Sequence, residues 1–225
     1  MTRLSDASVY LVPLGRNRYD LYTEPSDEPA ADPDQAQGYV RQQIHRFRVR
    51  WHEAVQTARR SEAVGRWARL RDWVVCRAAE TIAEQRTLWS LRNVAAARMS
   101  YPSDLSDTEA TGVRLRLLGA AQRHHGIWVI IDGVLFAASG LLMLVPGPNV
   151  FAYYFGLRLL GHFLSWRGAR HGLQSIAWET RAEPALAELG QLASVPRESR
   201  TPRVQAIAQG LNTPRLAAFF DRVAV

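Results

Sequence analysis

Near its start the chain has two short β-prone runs rich in apolar positions, SVYLVPL at 8–14 and RYDLYT at 18–23, divided by Gly15, Arg16 and Asn17. Three connecting residues that include a glycine predict a β-hairpin over residues 1–24. An isolated hairpin is marginal in water, so this one must dock on another element. The β-prone pattern then stops. Residues 25–38, PSDEPAADPDQAQG, are acidic, proline-rich and free of apolar periodicity, and read as an extended linker.

From Tyr39 the apolar positions recur at steps of three and four. Val40, Ile44, Phe47, Trp51, Val55 and Ala58 make one helical face, and after Gly65 a second run follows through Trp67, Leu70, Val74, Ala78 and Ile82. Leu88 and Leu91 carry that spacing up to YPSD, where Pro102 stops the helix. The pattern predicts amphipathic helices across residues 39–125, as an antiparallel pair or one long broken helix. Asp104 or Ser106 is placed to cap a further helix starting at about residue 107.

The pattern then turns almost wholly apolar. Residues 127–145 hold nineteen positions with one charge, Asp132, and a helix of that length crosses a ~30 Å hydrocarbon layer at ~1.5 Å per residue. Pro146, Gly147, Pro148 and Asn149 are turn chemistry in an apolar setting. Residues 150–166 are apolar again but broken by Arg158 and His162, and a central arginine costs about 2.5–3.5 kcal/mol on insertion scales. The expectation is a transmembrane helical hairpin at 126–167, with Trp128 and Trp166 as interface anchors at its basic ends and Tyr153 and Tyr154 near the turn. Arg114, Arg116 and Arg123 precede it, and Arg167, Arg170 and Arg181 follow it. The positive-inside rule then puts both termini on the cytoplasmic or matrix side. Residues 168–225 read as a C-terminal helical tail in which Thr213 and Pro214 open the last helix. The fold class is mainly α: a helical bundle with one transmembrane helical hairpin and a small N-terminal β-hairpin.

The candidate chemistry lies in the apolar pair. Counted from the turn, Asp132 and His162 fall at similar distances, and Arg158 is one helical turn from His162. Asp132, Arg158 and His162 at one depth are either an ion or proton pathway, or an interhelical ion pair that fixes the hairpin's register without turnover. His124 and His125 read as part of a basic interfacial collar. Gly133, Ala137 and Gly140 offer a small-residue surface for close helix packing. No phosphate-binding glycine loop, nucleophile elbow or metal-spaced Cys/His cluster is present in the sequence. The expectation is therefore no enzyme, no catalytic residues, no cofactor and no metal.

Composition changes the picture little. The 225 residues carry a net charge of +7, and all 28 basic residues are arginine; the lack of lysine weighs toward a coding bias over phosphate recognition, and no nucleic-acid partner is expected. A single cysteine, Cys76, excludes an internal disulfide and fits a reducing compartment. The opening MTRLSDASVY has the pattern of neither a signal nor a transit peptide.

Over PGPNVFAYYFGLRLLGHFLSWRGARHGL the sequence resembles the mitochondrial K+-H+ exchange-related family, through Pro148, Asn149, Tyr154, Arg158, His162 and Gly168. VYLVPLGRNRYDLYTEPSDEP, EQRTLWSLRNV and YPSDL also look like bacterial relatives of that name. The resemblance implies monovalent cation (K+/H+) exchange or its regulation, with the lipid bilayer, K+ and H+ as partners. Two helices are too few to enclose an ion path, so a homo-oligomer or a partner membrane subunit is implied as well. The location expected is the inner (cytoplasmic) membrane, with the mitochondrial inner membrane as the alternative. The rival reading is a membrane-anchored helical interaction module without transport activity.

Overall fold

The computed structural model describes residues 7–24, 86–141 and 150–224. The linker at 25–38, the helical runs expected at 39–85 and the turn at 146–149 lie outside them. The described residues fall into two compact units, one of 7–24, 86–128 and 162–224, the other of 129–141 and 150–161.

In the first unit the expected hairpin forms as β1 (Ala7–Pro13) and β2 (Tyr19–Tyr22), antiparallel with Leu11 opposite Leu21. Gly15, Arg16 and Asn17 all take positive φ, at 82°, 50° and 60°, a conformation that glycine adopts freely and asparagine tolerates. The element on which the hairpin docks is another strand. β1 pairs in parallel with β3 (Ala96–Pro102), and β3 in parallel with β4 (Ala177–Glu183), giving a four-stranded mixed sheet in the order β2-β1-β3-β4. Residues 96–102, expected to end a helix, are thus a strand, and the expected helical tail from 168 contains another.

Both faces of β1 are covered. Val9 and Leu11 point to a core with Met99, Leu91, Val113 and Leu118, while Val12 joins a second core with Leu186, Leu189, Val204, Leu216 and Phe220. A strand buried on both faces needs the near-continuous apolar run that VYLV supplies.

Short helix α1 (Arg86–Leu91) precedes β3, and two long helices, α2 (Asp107–Leu141) and α3 (Val150–Gln174), lie in the chain between β3 and β4. Neighbouring parallel strands cannot be joined by a tight turn, so a helical crossover there is what the pairing demands. Ser106 starts α2 with a capping box: its Oγ accepts from the Glu109 amide at 3.3 Å, and the Glu109 carboxylate accepts from the Ser106 amide at 2.8 Å. α4 (Pro184–Leu192), α5 (Arg197–Gly210) and α6 (Leu216–Val223) build the second core. Thr213 does not cap α6. Its hydroxyl donates back to the Ala208 carbonyl, and the helix opens at Leu216.

Helices dominate the described chain, but none of them is long and apolar enough to cross a membrane. This corrects the transmembrane hairpin expected at 126–167. The described apolar part of α2, from Ile127 to Leu141, is only about 22 Å long at ~1.5 Å per residue. It also contains Asp132, while α3 is interrupted by Arg158 and His162. The placement of both termini on one side of a membrane depended on that span and loses its basis with it.

α1 and the turn that follows it are fastened to α3 by three contacts. Trp89 Nε1 donates to Ser165 Oγ at 2.9 Å, the His171 ring bonds the Val94 carbonyl at 2.9 Å, and the Leu88 carbonyl lies directly over Gly168. A Cβ at Gly168 would stand 1.7 Å from that oxygen. Backbone cannot swing aside as a side chain can, so Gly168→Ala is expected to reach or exceed the usual overpacking cost of about 1–3 kcal/mol. At Gly172 the same Cβ would meet only Leu118 and Leu91 side chains at 3.2 Å and beyond. Denaturant unfolding should therefore show a much smaller loss for Gly172→Ala than for Gly168→Ala.

Candidate functional site

A helix packed in water turns apolar residues inward and polar ones outward. Along α2 from His125 to Ser139 this order is reversed. His125, Asp132 and Ser139, seven residues apart, are all buried, whereas Ile127, Ile130, Ile131, Val134, Leu135 and Phe136 are exposed, Ile130 to 70% and Val134 to 64%. Leu160 and Phe163 on α3 are exposed as well. Seven residues are two helical turns, so the three polar positions form one seam.

In the second unit the seam holds an ion pair. Arg158 Nη2 lies 3.3 Å from Asp132 Oδ1, with the Asp132 side chain wholly buried and that of Arg158 one quarter exposed. The Arg158 guanidinium also stands 5.6 Å from the Tyr154 ring centroid and reaches its hydroxyl at 3.4 Å. Small residues let the helices approach: Gly156 lies against the Phe136 ring, and Gly133 faces Leu159. Ser139 turns its hydroxyl back to the Phe136 carbonyl, 2.7 Å away.

In the first unit the seam holds imidazoles. His125 Nδ1 and His162 Nδ1 are 2.8 Å apart and both rings are buried. Trp128 stacks on His162 with centroids 5.9 Å apart at 17°, and exposed His124 stands near-perpendicular to both His125 and His162. Burial, followed by the neighbouring His162 and His124, holds His125 down at about 4.

Of the predicted residues, Asp132 and Arg158 thus meet each other, while His162 meets His125 and Trp128. His125, expected in a basic interfacial collar, is buried. Trp166 packs beside Gly126 and under the Arg170 guanidinium, 5.4 Å from its ring centroid. The Tyr153 side chain and Pro146–Asn149 lie outside the described residues. One sequence signal marks the seam. A polar residue followed by glycine recurs every seven positions, as His125-Gly126, Asp132-Gly133 and Ser139-Gly140.

Two expectations follow. Removing one partner of a buried pair leaves a charge uncompensated, so Asp132→Leu should destabilise by about 2–3 kcal/mol, below the 3–5 typical of full burial because Arg158 keeps some exposure. Adding Arg158→Met should restore most of the loss in chemical unfolding. For His125, a value depressed from the ordinary ~6.5 means that its neutral form supports the fold. That contribution is complete above about pH 6.5 and drains as pH falls toward 4. His125→Gln should flatten this acid limb of the stability curve.

Comparison with curated proteins and with solved structures finds no match. A family model does match, over residues 8–176, from the first strand to the residue before β4. That span covers well over half of the chain and both polar sites of the helical pair, and it places the chain in the mitochondrial K+-H+ exchange-related family.

Proposed function

We propose that the protein is a membrane-associated, non-enzymatic component of K+-H+ exchange, in which the Asp132–Arg158 pair is the coupling element. The family's name points to mitochondrial K+-H+ exchange. The observation that carries the reading is the reversed polarity of the helical pair: a wholly buried carboxylate and its guanidinium inside, with Ile130, Val134, Phe136 and Leu160 outside. Ionisable groups turned inward beneath an apolar exterior suit helices whose surroundings are themselves apolar, and there they mark ion and proton paths. The exposed aliphatic residues supply the contact with lipid or with a membrane subunit.

Two helices cannot wall off an ion path alone. The chain therefore acts with further copies of itself or with a partner subunit, contributing one carboxylate whose charge Arg158 balances. A cation or proton that competes with Arg158 for Asp132 would exchange one positive charge for another, which is the elementary step an antiporter needs.

The test is K+-dependent proton flux in vesicles prepared from cells that express the protein. Flux above that of vesicles lacking the protein should fall to background in Asp132→Asn, because the amide no longer holds a cation. It should persist in Arg203→Ala, which removes only a surface pair with Glu188 in the first unit. Flux that is indifferent to the protein would refute the exchange reading and leave a membrane-bound interaction module in its place.

A further inference from the structure

A charged side chain is rarely taken out of water, and then almost always beside an opposite charge. Arg114 departs from that rule. It is only 8% exposed, yet among the described residues it forms no ion pair. Asp107 acts on it from farther off, and burial holds its pKa below the ordinary arginine value. Its Nε is buried with no hydrogen-bond acceptor, and no described acceptor meets the two Nη atoms, which are not sealed from solvent. What the guanidinium does have is an aromatic face. It stands 4.5 Å from the centroid of the Trp178 ring, which attracts a cation but offers it no lone pair in the plane of its N–H groups.

The surrounding sequence explains why no carboxylate arrives. One turn away on α2 stand Ala110, Thr111, Leu117 and Leu118. Successive residues of β4 point to opposite faces of the sheet. Trp178 and Thr180 share one face, and Glu179 and Glu183 take the other, where Glu179 pairs with Arg98. Across the ladder Trp178 faces Ala97, and Thr180 faces Met99. The aromatic platform is itself fixed, because the Trp178 indole donates to the Gly172 carbonyl at 2.8 Å. A guanidinium held in place with its donors unused is preorganised for an oxyanion.

We propose that Arg114, seated on Trp178, is an anion-binding site that takes one phosphate group on the two terminal nitrogens of the guanidinium. Two parallel N–H groups match two oxygens of a phosphate. The remaining oxygens stay in water, so a small opening at the guanidinium tip need not admit the whole ligand. The site lies in the first unit and does not depend on the exchange reading. Phosphate binding without K+-dependent flux would refute that reading alone, and flux without phosphate binding would refute this site alone.

The test is chemical unfolding of the full chain in inorganic phosphate against chloride at equal ionic strength, with calorimetry of phosphate binding alongside. Phosphate should bind saturably and raise stability, as a ligand of the folded state does. Arg114→Lys keeps the charge but loses the fork, and should weaken binding roughly tenfold to a hundredfold. Arg114→Met should abolish the phosphate effect, while in chloride it should unfold no earlier than the unaltered chain, because an uncompensated buried charge is gone. Arg181→Gln, at an exposed position on the opposite face of β4, should leave binding unchanged. Vesicles of phosphatidylcholine with and without phosphatidic acid separate the two sources of the group. Dependence on Arg114 seen only with the acidic vesicles would place the phosphate on a lipid headgroup, and dependence seen with inorganic phosphate would place it on a soluble ligand. Phosphate effects that survive Arg114→Met, a loss of stability in that variant equal in both salts, or no dependence on Arg114 with either source would overturn the proposal.

Discussion

In the first unit one peptide carbonyl sits against one glycine: the Leu88 oxygen over Gly168, where a Cβ would stand 1.7 Å away. Much else hangs on it. With Leu88 seated there, Trp89 reaches Ser165, and Val94 comes within reach of His171. The chain then enters β3 at Ala96, directly opposite Ala177 at the start of β4. The end of α3 and the start of β4 are held together in turn by the Trp178 indole, which donates to the Gly172 carbonyl at 2.8 Å and carries the Arg114 guanidinium 4.5 Å from its ring centroid. A parallel β3–β4 ladder closed over a long crossover needs such fixed points at both strand entrances, because the crossover itself imposes no register.

The helical pair follows a different logic. Burial of apolar surface explains the sheet and its two cores. It does not explain helices that hide Asp132, Ser139 and two histidines while exposing isoleucine, valine and phenylalanine. In water that arrangement forgoes hydrophobic stabilisation on the outside and incurs desolvation on the inside. Such an exterior suits contact with another apolar surface, and a polar interior gains strength where the dielectric around it is low.

The sequence made some of this legible. The β1–β2 hairpin could be read because its turn chemistry is local, confined to Gly15, Arg16 and Asn17. β3 and β4 could not. Their sequences, AARMSYP and AWETRAE, contain no valine or isoleucine, and what makes them strands is pairing with β1 and with each other across long stretches of chain. The Asp132–Arg158 contact was within reach of spacing arguments. The pairing of His162 with His125 was not, because depth counted from the turn assigns a level along the helix but not the side it faces. Attention to the polar-glycine pairs seven residues apart would have supplied that side.

The charged character of β4 has a consequence for assembly. As the last strand in the order β2-β1-β3-β4 it would offer unpaired backbone groups to another sheet, yet Glu179, Arg181 and Ala182 are all exposed, and Glu179 reaches back to Arg98. Charge along an edge strand discourages edge-to-edge addition. Ile130, Val134 and Phe136 on α2 are already exposed, and two independent sticky sites on one body propagate into open-ended aggregates. With its β4 edge charged, the sheet does not supply a second such site there.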